Sequence, residues 1–182
     1  MITSRSLSVL VVSLSLLAVA ACSPTRTQKS AGEQIDDTVV TVKVKAALVD
    51  NPVTKARQID VEVFRGSVQL NGFVATAAEK SQATAVARSV EGVRDVRNNL
   101  TIKAADSTAG QMVDDGVLTS KVKAGLVESS LTKAHQINVE TRGGVVQLSG
   151  FVDSASAKSA AERIARDVTG VRSVRNEIDV KK

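Results

Sequence analysis

The chain has 182 residues and a formal charge of +5; it is 43% hydrophobic but 2% aromatic, with no Trp or Tyr and only Phe64, Phe73 and Phe151. Its cores must therefore be built from Val, Ile, Leu and Ala, and the modest positive excess permits anionic partners without pointing to nucleic acid. The lone cysteine, Cys22, and the lone histidine, His135, leave an internal disulfide, a thiolate metal site and a His-based triad without the residues they need.

Arg5 followed by the apolar run Leu10–Ala18 reads as a secretory signal, because that run is too short to span a bilayer as a mature helix. It ends in Val19-Ala20-Ala21-Cys22, which resembles a bacterial lipobox. The resemblance implies cleavage before Cys22 and acylation of its sulfur and new amine, more than stable anchoring requires. The alternative is an ordinary signal peptide cut nearby, with Cys22 incidental. Ser23, rather than Asp, at the next position resembles sorting to the outer membrane. The expected division is a signal peptide over 1–21, a lipidated tether over 22–33, a first repeat over 34–103, a linker over 104–110 and a second repeat over 111–182.

Val68-Gln69-Leu70-Asn71-Gly72-Phe73-Val74 returns as Val146-Gln147-Leu148-Ser149-Gly150-Phe151-Val152. Aligned on these glycines, Asp36–Lys103 matches Asp114–Lys181 without a gap and with more than half the positions identical, so one unit occurs twice.

Within the unit, Val40-Thr41-Val42-Lys43-Val44-Lys45 alternates like a strand, but the second copy breaks that rhythm with Ser120. What both copies share is helical spacing, Val40, Val44 and Leu48 against Leu118, Val122 and Leu126, with Asp36-Asp37 and Asp114-Asp115 placed as helix-terminus charges. Gln58–Phe64 alternates as a half-buried strand. Arg65-Gly66, or Gly143-Gly144, fits a tight hairpin turn, and Ser67–Val74 is the return strand. Gly72 and Gly150 are expected where a bulge or a crossing helix needs backbone clearance, and Phe73 and Phe151 as core residues. Thr76 and Glu79 form a capping box opening a second helix, which Gly92 and Gly170 are expected to stop at its C-cap. Val93, Val96, Leu100 and Ile102 then give a third strand, parallel to one hairpin strand. The expected fold is α+β, two tandem αββαβ units, each a three-stranded mixed sheet covered by two helices. One sheet face stays open, so the repeats are expected to pack on each other.

Asp-Asp near the first helix, Lys43-Val44-Lys45-Ala46, Val68-Gln69-Leu70-x-Gly72-x-Val74 and Val90-x-Gly92-Val93-x-x-Val96 together resemble a BON domain. The doubled unit behind a lipobox is similar to dual-BON outer-membrane lipoproteins. The resemblance implies a periplasmic or membrane-surface location. For some members it implies binding of anionic phospholipid through the second domain, and for others a role in osmotic stress or in assisting exported proteins.

No catalytic set, metal site or cofactor is expected. Lys121 and Lys123 flank Val122 on the first helix of repeat two, Val117 stands one turn earlier, and Lys133 follows in the next loop. Lysines so placed lay their stems along a membrane interface and their ammonium groups among phosphates; the alternative is ordinary solvated charge. Asp114-Asp115 opposes an anion there, and Val117 supplies no aromatic ring. Arg172 and Arg175, matched by Arg94 and Arg97, are expected to face solvent. The expected partners are a membrane, through the acyl anchor and anionic phospholipid; the alternative is a periplasmic chaperone or osmotic-stress protein that holds unfolded polypeptide on an open sheet face and the sheet edges. A third option is an adaptor gripping another envelope protein.

Overall fold

The computed structural model describes residues 31–54, 59–102 and 109–181; the signal region, Cys22, most of the tether and most of the linker lie outside them. The first repeat runs α1 (Ala31–Asp50), β1 (Ile59–Phe64), β2 (Ser67–Val74), α2 (Ala77–Arg88), β3 (Asp95–Asn98) and β4 (Thr101–Ile102). The second runs α3 (Ala109–Glu128), β5 (Ile137–Arg142), β6 (Val145–Val152), α4 (Ala155–Asp167) and β7 (Ser173–Val180), with one 3₁₀ turn at Ala134–Gln136 before β5.

The first segment of each unit is a helix because the i, i+4, i+8 stripe is what becomes buried: Val40, Val44 and Leu48 in α1, and Leu118, Val122 and Leu126 in α3. Both helices begin earlier than expected, so Ala31–Glu33 and Ala109-Gly110 are helical rather than tether or linker. Asp37 and Asp115 therefore do not cap a helix terminus. They are buried, and Asp37 accepts the N–H of Arg65 at 2.7 Å and of Gly66 at 2.9 Å. Asp115 does the same for Gly143 at 2.7 Å and Gly144 at 2.9 Å, so in each repeat a carboxylate clasps the hairpin turn. Asp115→Ala is expected to cost about 2 kcal/mol, since charge-assisted bonds to buried donors are lost. A urea melt unchanged from the parent would show that the turn holds without the clasp.

Each sheet is mixed, with β1 antiparallel and β3 parallel to β2, and β5 antiparallel and β7 parallel to β6. The third strand of repeat one is interrupted at Asn99-Leu100, where Leu100 N–H donates to Asn98 Oδ1 at 3.0 Å. A short side chain competing for the backbone in this way breaks a ladder locally. The register then resumes with Phe73 opposite Thr101. In repeat two the matching contact, Ile178 N–H to Asn176 Oδ1, is longer at 3.3 Å, and β7 runs unbroken. The capping box forms: Thr76 accepts the N–H of Glu79 at 3.1 Å, and Glu79 accepts that of Ala75 at 2.9 Å. Ser154 caps α4 alone, accepting Ala157 N–H at 3.2 Å.

Strand alternation sorts the side chains to two faces. Ile59, Val61, Val63, Val68, Leu70 and Val74 meet the helices, where Ala83, Ala87, Val96 and Leu100 complete the core. Repeat two repeats this with Ile137, Val139, Val146, Leu148, Val152, Ala161, Ala165 and Ile178. The opposite, polar faces pack against each other. Gly150 N–H donates to Gln69 Oε1 at 3.0 Å, while Gln69 Nε2 donates to Asp179 at 2.6 Å and to the Glu177 carbonyl at 3.4 Å. Gln147 mirrors this by donating to the Asn99 carbonyl at 3.1 Å. Asp60–Asn138 and Arg97–Asp179 also bridge the seam. Phe151 is not in the core of its own repeat: it stacks on Phe64 across the seam, with centroids 5.3 Å apart. The layers thus run helices, sheet, sheet, helices. The open face available for gripping unfolded polypeptide is covered.

Candidate functional site

With 3.6 residues per turn, positions 117, 120, 124 and 127 fall on one line of α3. That line lies opposite the buried Leu118, Val122 and Leu126 stripe and carries Val117, Ser120, Ala124 and Val127, with Leu131 in the turn beyond the helix end at Glu128. Val117, Val127 and Leu131 are 47%, 72% and 57% exposed, so the helix turns an apolar ridge outward. Lys121 stands on one flank of this ridge and Lys123 on the other, both exposed. The structure therefore brings Val117, Lys121 and Lys123 onto one outward surface.

Lys121 and Val117 also line a cleft of about 330 Å³ between α3, the β5–β6 turn and the loop after α4, together with Asp114, Gly143, Gly144 and Arg172. Arg172 is exposed, as expected, and also lines this cleft. Its stem lies over Gly144, so a Cβ there would meet Arg172 Cγ at 2.9 Å. Repeat one has the matching cleft, about 460 Å³, lined by Asp36, Val39, Lys43, Arg65, Glu91 and Arg94. The two differ in ion pairing and not in net charge, since in each the lining carboxylates are matched by as many cations. Lys43 pairs with Glu91 at 3.4 Å, but Thr169 occupies the Glu91 position in repeat two, so Lys121 has no matching pair. An anion entering the second cleft meets Lys121 and Arg172, with Asp114 and Asp115 opposing it from the same wall.

Lys133 does not join this surface. Its ammonium donates to Asp153 at 2.9 Å, and Asp153 also receives Lys181 at 2.6 Å and Gln136 at 3.3 Å. The Lys181 bond, chiefly, with help from those of Lys133 and Gln136, holds the Asp153 carboxyl well below the usual carboxylate range. Lys133 is thus a partner of a fixed acid beyond the end of α3. On the other flank, Lys123 reaches the field of Glu140. Burial, followed by the charge of Asp60 across the seam, pushes the Glu140 carboxyl up to about 7, against the opposing pull of Lys123 and Arg142.

The four singled-out glycines all take positive φ. Gly72 and Gly150, at +115° and +116°, occupy matching places in β2 and β6. At Gly150 the clearance is needed for the Gln136 backbone rather than for a crossing helix. Gly92 and Gly170 do not stop their helices, which end at the C-caps Ser89 and Val168. They sit in the turns closed by Val93 N–H to the Val90 carbonyl at 3.2 Å and Val171 N–H to the Val168 carbonyl at 3.1 Å. There they pass against Val40 and Leu118.

The clasping aspartates and Arg172 were missed by sequence reasoning. A signal existed for the former: Asp and a turn glycine are retained at the same separation in both copies. Arg172 had none, because only the fold brings the loop after α4 beside α3. Among the described residues no three His, Cys, Asp or Glu side chains gather as a metal site, and no helix is long and apolar enough to cross a membrane.

Residues 36–104 and 114–182 each match the model of the BON domain family. The chain is 40% identical over 151 residues to Osmotically-inducible protein Y of Escherichia coli, covering 82% of this chain and 75% of that protein. It is 36% identical over 147 residues to Outer membrane lipoprotein DolP of Haemophilus influenzae, covering 80% and 75%. It is 34% identical over 148 residues to the 21 kDa hemolysin of Actinobacillus pleuropneumoniae, again covering 80% and 75%.

Proposed function

The chain belongs to the BON-domain family, and from that membership we propose that it serves envelope maintenance or stress resistance. On this reading it is anchored in the outer membrane through acylated Cys22, faces the periplasm, and binds anionic phospholipid chiefly through repeat two. The similarity to an outer membrane lipoprotein and to an osmotically inducible protein supports the setting. One observation carries the lipid reading: the outward ridge of α3, exposed at Val117, Val127 and Leu131 and flanked by Lys121 and Lys123. An apolar ridge between two lysines suits the boundary of headgroups and acyl chains. Arg172 adds a second cation beside Lys121 in the cleft. Lys133, held by Asp153, drops out of the proposed contact set.

The test is flotation of the fragment Ser30–Lys182 with liposomes containing or lacking phosphatidylglycerol and cardiolipin. The fragment retains both cores and every described contact. Binding is expected with anionic liposomes alone and should weaken as salt shortens the Debye length. Each lysine near such a surface contributes about 1 kcal/mol, so Lys121→Glu with Lys123→Glu should weaken flotation at least tenfold at low salt. Unchanged flotation of that variant would remove both lysines from the contact. No flotation of the parent fragment would leave the acyl chains as the membrane contact and move the reading to a protein partner.

A further inference from the structure

Helix α1 carries a ridge of its own. Val39, Val42, Ala46 and Val49 recur at alternating steps of three and four, which places them on one line of the helix, and Val53 follows in the turn after its end at Asp50. That line is opposite the buried Val40, Val44 and Leu48, and the four valines are 46%, 63%, 68% and 47% exposed. The ridge is more apolar than that of α3, because Val42 stands where repeat two has Ser120. Lys43 and Lys45 flank it, one on each side. Their ion pairs, Lys43 to Glu91 at 3.4 Å and Lys45 to Asp60 at 3.6 Å, are solvent-accessible. Unlike the 2.9 Å bond of Lys133 to an Asp153 that Lys181 and Gln136 also hold, these are single, longer pairs that contribute about 0–1 kcal/mol, so they do not withhold the ammonium groups from phosphate.

The layer order fixes the direction of the two ridges. Each sheet has its helices on one side and the other sheet on the other, so α1 and α3 lie on opposite outer faces. One flat bilayer cannot meet both.

We propose that the ridge of α1 is a second contact for an anionic lipid surface, and that the molecule is bivalent, able to hold two such surfaces at once. This rests on the lipid reading of α3 given above. Position along the chain favours lipid as the occupant. Ala31, where α1 begins, is the ninth residue after Cys22, and at about 3.3–3.6 Å per residue the intervening chain spans roughly 30 Å at most. Helix α1 is thus the element tethered closest to the anchor, within reach of the bilayer that would hold Cys22. A second copy is the weaker candidate. Four valines and an alanine are far fewer than the roughly 20–30 residues a side of a stable interface.

The experiment follows the fragment Ser30–Lys182 by two readouts, flotation with phosphatidylglycerol–cardiolipin vesicles and docking between two dye-labelled vesicle populations. The altered positions are exposed, so the fold is not at stake. The parent is expected to float and to dock vesicles. Val42→Asp with Val49→Asp should keep flotation, which the chief contact on α3 sustains, and reduce docking at least tenfold; Lys121→Glu with Val127→Asp should weaken flotation and docking alike, leaving only the residual flotation that α1 supports. Combining all four should abolish flotation. A parent that floats without docking, or docking unchanged in the α1 variant, overturns the proposal and leaves the α3 reading intact. A parent that does not float overturns both. Flotation lost with the α1 changes alone and untouched by the α3 changes overturns the α3 reading and the bivalence together. Sedimentation without lipid showing a dimer that Val42→Asp dissociates would assign the ridge to a second copy and overturn the lipid occupant.

Discussion

Gly150→Ala is expected to destabilise the protein by more than about 3 kcal/mol. Gly150 holds φ at +116° in the middle of β6, paired with Ile137 on one side and Ile178 on the other. A residue with a side chain is strained there, at a cost of about 1–3 kcal/mol before any contact is considered. The added Cβ would also be driven into the carbonyl oxygen of Gln136, with the Gln136 carbonyl carbon at 3.2 Å. Both atoms are backbone, so neither yields by a rotamer change. The same residue donates its N–H to Gln69 across the seam at 3.0 Å, so displacing it loosens the repeat interface too. Gly143→Ala is the control: its φ is +57°, a Cβ there meets nothing within 4 Å, and the cost should be about 1–2 kcal/mol. Urea unfolding of the two variants decides the matter; equal midpoints would mean that the β6 backbone can move aside.

The pH dependence of stability should be dominated near neutrality by Glu140. Its carboxyl is raised from 4.5 to about 7, by burial first and then by Asp60 facing it from the other repeat. A carboxyl whose pKa is higher folded than unfolded favours the protonated native state. Its contribution is therefore fully present below about pH 4.5 and is lost as pH rises through about 7. At 1.36 kcal/mol per unit the upper bound is about 3 kcal/mol. The parent should unfold at lower urea at pH 8 than at pH 5. Glu140→Gln, which keeps the shape and carries no charge, should flatten that slope and be the more stable protein at pH 8. The depressed Asp153 acts in the opposite sense, its contribution lost only as pH falls below the carboxylate range, so it does not mask the effect. Parallel slopes for parent and variant would remove Glu140 from this role.

Much of the site was legible because helical position is a matter of counting. Val117, Lys121 and Lys123 share an outward surface for the same reason that Leu118, Val122 and Leu126 share a buried one. Lys133 was misjudged because its surroundings come from other elements, Asp153 and Lys181; Arg172 is exposed as expected, but the cleft it shares with α3 was not legible because only the fold brings the loop after α4 there. Asp37 and Asp115 were assigned to helix ends because their turn partners lie 28 and 29 residues ahead.

By itself the sequence determined the duplicated unit, its order of elements, and which side of every helix and strand is apolar, since these depend only on local periodicity and on comparing two copies. Only the tertiary structure decided what the polar sheet faces do. Gln69, Gln147, Asp60 and Asn138 look like solvent-facing residues when read along a strand. They become a seam because each small sheet, covered by helices on one side alone, finds in the other repeat a surface that takes up most of its polar groups, with Gln147 Oε1 and Asn71 Nδ2 left unpaired among the described residues.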